Sequence, residues 1–298
     1  MTHNRARPIL PSSKSIFLTI KKETNWINKH TINNVTILLA IMSLNRLKEM
    51  VLGIKSVHED IHTYLAALND MGLNHLHFGY WTDGMNKDDI YNFGSAGDNL
   101  YHLIKSHIPP EVKNILDVGG GIGATSDLLT KDGYSARCIV PDKILIREGQ
   151  KRFPMIRFLQ GTAELFHCSP KYDLAVLIES YQYITHRFKA LKNIGNQLTN
   201  NSYIIILDEF SLGRLRELPQ ESELDSFLNQ TGYFIKNRLD ITREVLPTCD
   251  VIASYFKSRN EKVVQQWEKV KSQYLRGKRC YLFLMYGKNN TPAKSAKK

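Results

Sequence analysis

The chain has 298 residues, of which 42% are hydrophobic, so it can bury a substantial core without disulfides or a structural metal. Forty lysine and arginine residues against 29 aspartate and glutamate residues give a net charge of +11, which suggests an anionic partner such as nucleic acid or a membrane surface. However, residues 1–56 hold nine basic and two acidic side chains, the tail from Lys288 holds four basic ones, and residues 57–287 balance at 27 of each sign. This neutral central part argues against a nucleic-acid-binding surface.

Residues 1–56 form a basic extension. Its first acidic residue is Glu23, and asparagine and lysine recur from Asn25 to Asn34 without helical or strand periodicity. This composition is typical of a disordered or non-native extension, with an organellar targeting segment or an ordered helix as alternatives. We expect residues 57–288 to fold as one domain and residues 289–298 to form a lysine-rich, solvated tail.

Two amphipathic helices open the expected domain. Apolar residues recur every three to four positions from Val57 to Leu73, which predicts the first helix. The turn-rich, aromatic segment HLHFGYWTDG follows it. A second helix is predicted from Ala96 to Ile108, because Pro109 and Pro110 cannot continue a helical hydrogen-bond ladder.

Strands and helices alternate along the rest of the chain. Seven strands are predicted, at residues 114–118, 135–140, 156–159, 172–178, 203–208 and 233–240 and in the run CYLFLMY that ends at Tyr286. Helices are predicted between them at residues 124–131, 143–152, 188–198, 221–230 and 246–274. This alternation indicates parallel β-α units with helices on both faces of the sheet, and hence a single doubly wound α/β domain.

The cysteines and the apolar runs constrain the setting of the protein. Cys138, Cys168, Cys249 and Cys280 form no CxxC pair and no Cys/His pair at zinc spacing, so we expect no disulfide framework and no metal site. A reducing, cytoplasmic location is the simplest interpretation. The longest apolar run, VTILLAIMSL, is about half as long as the roughly 20 residues of a transmembrane helix, so no membrane span is expected.

The run DVGGGIG, residues 117–123, joins a predicted strand to a predicted helix. Glycines at such a junction let backbone N–H groups and the helix N-terminus approach a ligand closely. Gly119, Gly121 and Ala124 match the G-x-G-x-x-G/A fingerprint, and Asp142 lies about 20 residues further on, so an NAD-dependent dehydrogenase is one interpretation. Another interpretation is that the glycines merely close a tight turn and bind no ligand.

Asp117 favours a different ligand. A carboxylate inside a strand is costly to bury without a partner, and a ligand ammonium group would be such a partner, whereas an anionic pyrophosphate would be repelled. The residues therefore predict a ligand that carries both a nucleoside and a positive charge.

The run ILDVGGGIG, residues 115–123, resembles the first motif of class I S-adenosylmethionine-dependent methyltransferases. QGTAELF (160–166), YDLAVLIES (172–180) and ILDEF (206–210) follow in the order of that family, and the resemblance extends from about Val57 to Lys288. The upstream LHFGYW, residues 76–81, is similar to the small-molecule subgroup that includes tocopherol, sterol, glycine-betaine-pathway and alkaloid N-methyltransferases. The resemblance implies a Rossmann-like sheet of order 3-2-1-4-5-7-6 with an antiparallel seventh strand, an N-terminal helical cap, and methyl transfer to a small-molecule acceptor.

The same resemblance implies roles for individual residues. Asp117, Gly119 and Gly121 would line the methionine end of S-adenosylmethionine, and Asp142 would accept hydrogen bonds from its ribose. Thr162 and Ala163 stand where the family usually has an acidic residue and alanine beside the adenine. The full set of cofactor-binding candidates is Asp117, Gly119, Gly121, Gly123, Asp142, Thr162, Ala163, Glu179 and Tyr80.

A sulfonium methyl group is already activated, so such an enzyme mainly positions the acceptor, excludes water and, for a hydroxyl or carbon acid, removes a proton. The catalytic candidates are Tyr183, Glu179 and His77. Related enzymes often carry histidine where Tyr183 stands, which weighs against a histidine base at that position. We expect the LHFGYW cap to close over the cofactor and to complete the acceptor pocket with Tyr183.

Several alternatives stay open. His77 could be a packing residue, and Tyr80 and Trp81 could be core anchors instead of a lid. At the level of function, the alternatives are a non-catalytic S-adenosylmethionine-binding protein, an RNA methyltransferase and the NAD-dependent dehydrogenase. An RNA methyltransferase would need a basic, aromatic stripe on the folded part, against which the neutral charge balance counts.

Overall fold

The computed structural model describes residues 57–288 except 76, 88–90, 170 and 214. The predicted extension at 1–56 and the predicted tail at 289–298 therefore lie outside the described residues. Contacts divide the chain into two units after Thr63. The seven-stranded sheet belongs to the second unit, and the division falls within the first helix.

Two helices precede the sheet. The first, α1, spans Val57–Met71, and the second, α2, spans Tyr91–Ser106. Gly72, with a φ of 65°, follows α1 directly, as expected of a glycine that ends a helix in the left-handed conformation. Both predicted helices are thus confirmed, although α2 begins five residues earlier than its apolar pattern indicates.

Seven strands and seven further helices make up the rest of the described chain. The strands are β1 Asn114–Val118, β2 Ser135–Val140, β3 Arg157–Gln160, β4 Tyr172–Ile178, β5 Leu198–Ser211, β6 Tyr233–Asp240 and β7 Arg279–Lys288. The helices are α3 Ala124–Lys131, α4 Lys143–Arg152, α5 Arg187–Gln197, α6 Glu221–Gln230, α7 Thr242–Val245, α8 Pro247–Phe256 and α9 Glu261–Leu275.

The strands form one sheet in the order β3-β2-β1-β4-β5-β7-β6. β7 is antiparallel to both of its neighbours, whereas the pairings among β1 to β5 are parallel. This order and the reversed seventh strand confirm the predicted fold. Because β7 is reversed, its first residues lie at the edge of the sheet where the parallel strands end.

The prediction of one long helix over residues 246–274 is wrong. α8 ends at Phe256 and α9 begins at Glu261. The Asn260 side chain accepts hydrogen bonds from the backbone N–H groups of Lys262 and Val263 at 3.2 and 3.3 Å, so it caps α9. An asparagine cap satisfies N–H groups that have no partner within the helix, which favours a new helix start at this point.

The core lies on both faces of the sheet. Side chains of β4 alternate between the two layers, with Ala175 and Leu177 facing α5 and α6 and with Leu174 and Val176 in the layer that contains α2, α3 and α9. Both faces are therefore covered, as a mainly parallel sheet requires. Within the described part of the chain, no helix has the length and apolar composition needed to cross a membrane.

Candidate functional site

The glycine turn connects the end of β1 to the start of α3. Gly119, Gly121 and Gly123 have φ angles of 78°, 60° and 88°, in the left-handed region that glycine adopts readily. A Cβ at Gly119 would lie 2.5 Å from the Cβ of Ser180, and the Ser180 hydroxyl donates to the Val118 carbonyl at 2.7 Å. The turns after β1 and β4 therefore pack together at the carboxyl edge of the sheet, where α/β folds bind ligands.

The carboxylate of Asp117 is buried below this turn, with 1% of the residue exposed. Ser126 in α3 donates from Oγ to Asp117 Oδ2 at 2.8 Å, and a Cβ at Gly120 would lie 2.3 Å from the same oxygen. Burial raises the pKa of Asp117 to about 6, and the hydrogen bonds from Ser126 oppose that rise. Asp117 thus has a partner inside the protein, so the argument that it needs a ligand cation does not hold, and its contact with a cofactor stays a prediction.

Asp142 follows the end of β2 and is 5% exposed. Its Oδ1 accepts hydrogen bonds from the N–H groups of Ile144 and Leu145 at 2.6 and 3.4 Å, so the side chain caps α4. The carboxylate of Asp142 therefore lies just after β2, the strand that pairs with β1, and it caps α4. Its predicted role toward a ribose stays a prediction.

Thr162 and Ala163 follow β3 at the same edge. Thr162 is exposed, whereas Ala163 is partly buried and packs against the core. The N–H of Gly161 donates to the Val140 carbonyl at 3.1 Å, which ties this segment to the end of β2. The structure thus places the two residues near Asp142 in the fold, and their contact with an adenine stays a prediction.

Glu179 follows the last residue of β4 with a φ of 47°, and it is the only non-glycine residue with a positive φ in the described ranges. Such strain costs on the order of 1–3 kcal/mol and tends to occur at functional sites. Glu179 Oε1 accepts hydrogen bonds from the N–H of Phe78 at 2.5 Å and from the hydroxyl of Tyr281 at 2.6 Å. Burial holds the pKa of Glu179 well above its usual range; the two hydrogen bonds lower it, and Asp208 and Glu209 raise it.

The cap segment, defined as residues 77–81, meets the sheet edge through Phe78. The Phe78 ring lies 5.3 Å from the Tyr281 ring, measured between centroids, and only 5% of the residue is exposed. The cap therefore contacts the sheet edge through Phe78 and Glu179, and its closure over a cofactor stays a prediction. Leu76, the first residue of the predicted cap motif, lies outside the described residues.

His77 packs as a neutral ring. Its Nδ1–H donates to the Phe78 carbonyl at 2.9 Å, and its ring stacks on that of His75 with centroids 4.1 Å apart. Burial lowers the pKa of His77 to about 3, and the nearby His75 contributes to the same shift. These contacts favour the packing alternative, and a catalytic role for His77 stays a prediction.

Trp81 anchors the cap in the protein core. It is 2% exposed, and its Nε1 donates to Thr248 Oγ1 at 2.9 Å. Tyr80 is less enclosed: it is partly buried, and its N–H donates to the Ala96 carbonyl at 2.7 Å. The core-anchor alternative therefore describes Trp81, and cofactor contact by Tyr80 stays a prediction.

Two further carboxylates lie on β5, next to Glu179. Asp208 is fully buried and accepts hydrogen bonds from the N–H groups of Gln182 at 3.1 Å and Glu209 at 2.8 Å. Burial raises the pKa of Asp208 to about 7. Glu209 differs, because its Oε1 accepts from the Tyr274 hydroxyl at 2.5 Å and from Arg279 at 2.6 Å. Of these two carboxylates, only Glu209 has an ion-pair partner among the described residues.

Tyr183 lies in a short 3-10 turn, Tyr181–Tyr183, after β4. It is 69% exposed, whereas Tyr181 in the same turn is 1% exposed. The exposure of Tyr183 does not fit the expectation that its ring completes an enclosed acceptor pocket with the cap. A proton-handling role for Tyr183 stays a prediction.

Sequence reasoning missed Tyr281 and Asp208 as site residues. Both lie within hydrophobic runs, CYLFLMY and YIIILD, that indicate buried strands. The signal that could have found Asp208 is the cost of a carboxylate in such a run, the argument that singled out Asp117. Tyr281 gives no such signal, because tyrosine is common in buried strands.

A separate groove of about 730 Å³ lies beside α2 and α3. Its lining includes Asp70, Asp98, Asp127, Tyr255 and Arg259 and none of the predicted site residues. We place the candidate site instead at the carboxyl edge of the sheet, where the glycine turn, Asp142 and the strained Glu179 lie.

The charge of this edge favours a cationic ligand. Glu179 and Asp208 lie there without an ion-pair partner among the described residues, whereas Arg279 is paired with Glu209 at 2.6 Å. When these two carboxylates are ionised, their charges raise the free energy of a bound anion, so a pyrophosphate would be disfavoured at this edge. In the part of the chain that the structure describes, no three His, Cys, Asp or Glu side chains are grouped to hold a metal ion.

Comparisons with known proteins give similarity in structure alone: no protein-family model matches the chain, and no curated protein matches it. A geranyl diphosphate C-methyltransferase from Streptomyces coelicolor A3(2), solved with Mg²⁺, geranyl diphosphate and S-adenosyl-L-homocysteine, is 13% identical. It matches with a TM-score of 0.62 over 78% of this chain and 97% of its own.

Two other solved structures show the range of proteins with this fold. An O-methyltransferase from a trans-AT PKS multienzyme of Brevibacillus brevis, in complex with S-adenosyl-L-homocysteine, is 15% identical, with a TM-score of 0.57 over 72% of this chain and 84% of its own. The [4+2]-cyclase SpnF is 15% identical, with a TM-score of 0.61 over 77% of this chain and 94% of its own. The described chain therefore has the seven-stranded Rossmann-like fold that these methyltransferases share.

Proposed function

We propose that the protein transfers a methyl group from S-adenosylmethionine to a small-molecule acceptor. The observation that carries this proposal is the junction between the turns after β1 and β4, where the left-handed Gly119 packs against Ser180, the residue that follows the strained Glu179. Two neighbours in fold were solved with S-adenosyl-L-homocysteine, which supports the same cofactor class.

The residues at the edge fit this cofactor. Gly119, Gly121 and Gly123 would hold its amino acid part, Asp142 its ribose, and the Thr162–Ala163 segment its adenine. The carboxylates of Glu179 and Asp208, which have no ion-pair partner among the described residues, suit the sulfonium and ammonium charges of the cofactor better than a dinucleotide pyrophosphate. When bound, S-adenosylmethionine would supply an activated methyl group.

The acceptor that this site suits is neutral or cationic. We place the acceptor beside Glu179, next to which Asp208 is buried, and neither carboxylate has a cationic partner among the described residues. A carboxylate or diphosphate on the acceptor would be repelled there. The geranyl diphosphate of one neighbour is therefore a poor guide to the acceptor of this chain.

A second candidate is a protein of this fold that does not transfer a methyl group. The [4+2]-cyclase among its neighbours in fold favours keeping this alternative, because fold does not determine chemistry. A non-catalytic S-adenosylmethionine-binding protein is a special case of it. The NAD-dependent dehydrogenase is disfavoured by the acidic edge.

The same proposal includes the cellular location of the protein and its metabolic role. Four buried, free cysteines support a reducing, cytoplasmic location, and the proposed acceptor class implies a role in small-molecule metabolism. Nucleic acid is not among the proposed partners.

The test is calorimetric titration of the full chain with S-adenosylmethionine, S-adenosylhomocysteine and NAD. We expect both sulfur ligands to bind with one site per chain and NAD to give no binding heat. Incubation with methyl-labelled S-adenosylmethionine and a small-metabolite extract then separates the two candidates. Label in a small molecule supports transfer, tight binding without transfer supports the non-catalytic alternative, and NAD binding alone contradicts both.

A further inference from the structure

The carboxylate of Glu179 is held at one of its two oxygens. Both hydrogen bonds, from the Phe78 N–H and the Tyr281 hydroxyl, go to Oε1 at 2.5 and 2.6 Å. Glu179 Oε2 has no hydrogen bond to a described residue, and the residue is only partly buried. One oxygen is therefore fixed in place, while the other can interact with a ligand.

The two donors come from distant parts of the chain. Phe78 belongs to the cap segment and Tyr281 to the first part of β7, which its antiparallel direction places at the carboxyl edge, opposite Glu209 of β5. The Phe78 and Tyr281 rings also contact each other, with centroids 5.3 Å apart. The cap, β4 and β7 are thus joined at this one carboxylate.

The charged and titratable groups around Glu179 explain why the two donors matter. Burial and the charges of Asp208 and Glu209 on β5 raise the pKa of Glu179, although Arg279 partly offsets Glu209 by pairing with it. The neighbouring His77 of the cap is neutral. Donors to a carboxylate stabilise its charged form, so Tyr281 and the Phe78 N–H are the groups that favour an ionised Glu179.

We propose that Tyr281 and the backbone N–H of Phe78 are positioning groups that hold Glu179 Oε1, so that Oε2 receives the proton of an acceptor hydroxyl or ammonium group. In this step the acceptor's O–H or N–H bond breaks, its electron pair stays on the oxygen or nitrogen, and the proton bonds to Oε2. The inference rests on the proposed function and adds to it a protic acceptor, the atom that takes the proton, and the two groups that orient it.

The experiment compares Tyr281→Phe with Tyr286→Phe in the full chain. Both tyrosines are fully buried on β7, and both hydroxyls donate to a carboxylate, but Tyr286 donates to Asp225, away from Glu179. Titration of the side-chain carboxyls by carbon-13 NMR in ligand-free protein reports on Glu179, whose signal is assigned by its loss in Glu179→Gln. We expect Tyr281→Phe to move the titration midpoint of Glu179 upward by about one pH unit, since one hydrogen bond is lost, and Tyr286→Phe to leave it unchanged.

Hydrogen exchange gives a second measurement that needs no change at Tyr281. Glu179→Gln removes the charge of the acceptor, so the Phe78 amide should exchange about tenfold faster. The neighbouring Gly79 amide, which donates to Thr248 Oγ1 at 3.0 Å, is the internal control and should be unchanged. If Tyr281→Phe does not fold, this measurement decides the role of the cap donor on its own.

Kinetics complete the test once an acceptor is identified. An ionised base is needed, so the acidic limb of the pH-rate profile should move to higher pH in Tyr281→Phe, with turnover about tenfold lower at pH 7 and unchanged affinity for S-adenosylhomocysteine. An unmoved Glu179 titration in Tyr281→Phe would overturn the positioning role even if the cofactor binds. Absence of cofactor binding by the wild type would overturn the proposed function instead, and the NMR titration distinguishes the two failures because it is made without ligand.

Discussion

The two halves of the sheet's carboxyl edge are built from different chemical groups. After β1, β2 and β3, the edge consists mainly of backbone, with left-handed glycines, and the carboxylate of Asp142 there is bound to the backbone N–H groups of a helix start. After β4 and beside β5 and β7, it consists of side chains, namely Glu179, Asp208 and Tyr281. Backbone suits recognition of one fixed cofactor, whereas ionisable side chains suit proton handling. We therefore expect substitutions in the first half to change binding and those in the second to change pH dependence.

Substitution of Trp81, which anchors the cap segment in the core, has the largest expected effect, and this effect is on stability. Trp81→Ala should lower the free energy of unfolding by about 3–5 kcal/mol, because it removes a buried indole and its hydrogen bond to Thr248. Urea unfolding measures this. The neighbouring substitution Tyr80→Ala is the comparison. If Tyr80 contacts the cofactor, Tyr80→Ala should lower cofactor affinity or turnover far more than it lowers stability. The reverse pattern would make Tyr80 a core anchor as well.

The glycine turn gives the next effect, on binding. Gly121→Val should weaken S-adenosylmethionine binding at least 100-fold, because a branched side chain at a φ of 60° would distort the turn and fill the space where a ligand approaches the backbone. Gly133→Val is the matched control, since Gly133 also has a positive φ, 94°, with no atom within 4 Å of an added Cβ. Calorimetry should show a loss for Gly121→Val alone. Equal losses in both variants would show that strain, and not the site, is responsible.

The buried Asp208 predicts a pH dependence of stability. Its pKa of about 7 in the folded state lies above the ordinary value of 3.8, so the folded chain holds this proton more tightly than the unfolded chain does. Its contribution to stability is present below about pH 4 and is lost as the pH rises toward 7. In Asp208→Asn, the fall in the urea midpoint between pH 5 and 8 should become shallower.

Asp173→Asn is the control for this titration. Asp173 also accepts backbone hydrogen bonds, from Lys113 and Asn114 at 3.1 and 2.9 Å, but it lies at the opposite edge of the sheet and is only partly buried. It should keep the pH dependence of the wild type. An unchanged slope in Asp208→Asn would contradict the assignment of the titration to Asp208.

Tyr183 gives the smallest expected effect. Because 69% of it is exposed, Tyr183→Phe should change turnover less than about threefold if Glu179 is the proton acceptor. Steady-state kinetics with the identified acceptor measure this. A loss of 100-fold or more would move the proton-handling role from Glu179 to Tyr183.

The difference between the two halves also explains what could be predicted from sequence. The strand order and the glycine turn were predictable, since the strand-turn-helix run from Asn114 to Lys131 is contiguous and its apolar period is clear. The break before α9 was missed because the capping signal of Asn260 lies within a long amphipathic pattern. Glu179 contacts Phe78, which lies about 100 positions before it, and Tyr281, which lies about 100 positions after it. A local sequence pattern cannot predict contacts between residues so far apart in the chain.

Above all, we expect the cofactor to bind at the half of the carboxyl edge that follows β1, β2 and β3. The most direct test is hydrogen exchange of the full chain with and without S-adenosylhomocysteine. We expect protection to rise in peptides that cover residues 119–125 and 142–145, with little change around the groove beside Asp70 and Tyr255. Protection confined to that groove, or protection of the glycine turn by NAD and not by S-adenosylhomocysteine, would contradict the placement of the cofactor at this edge.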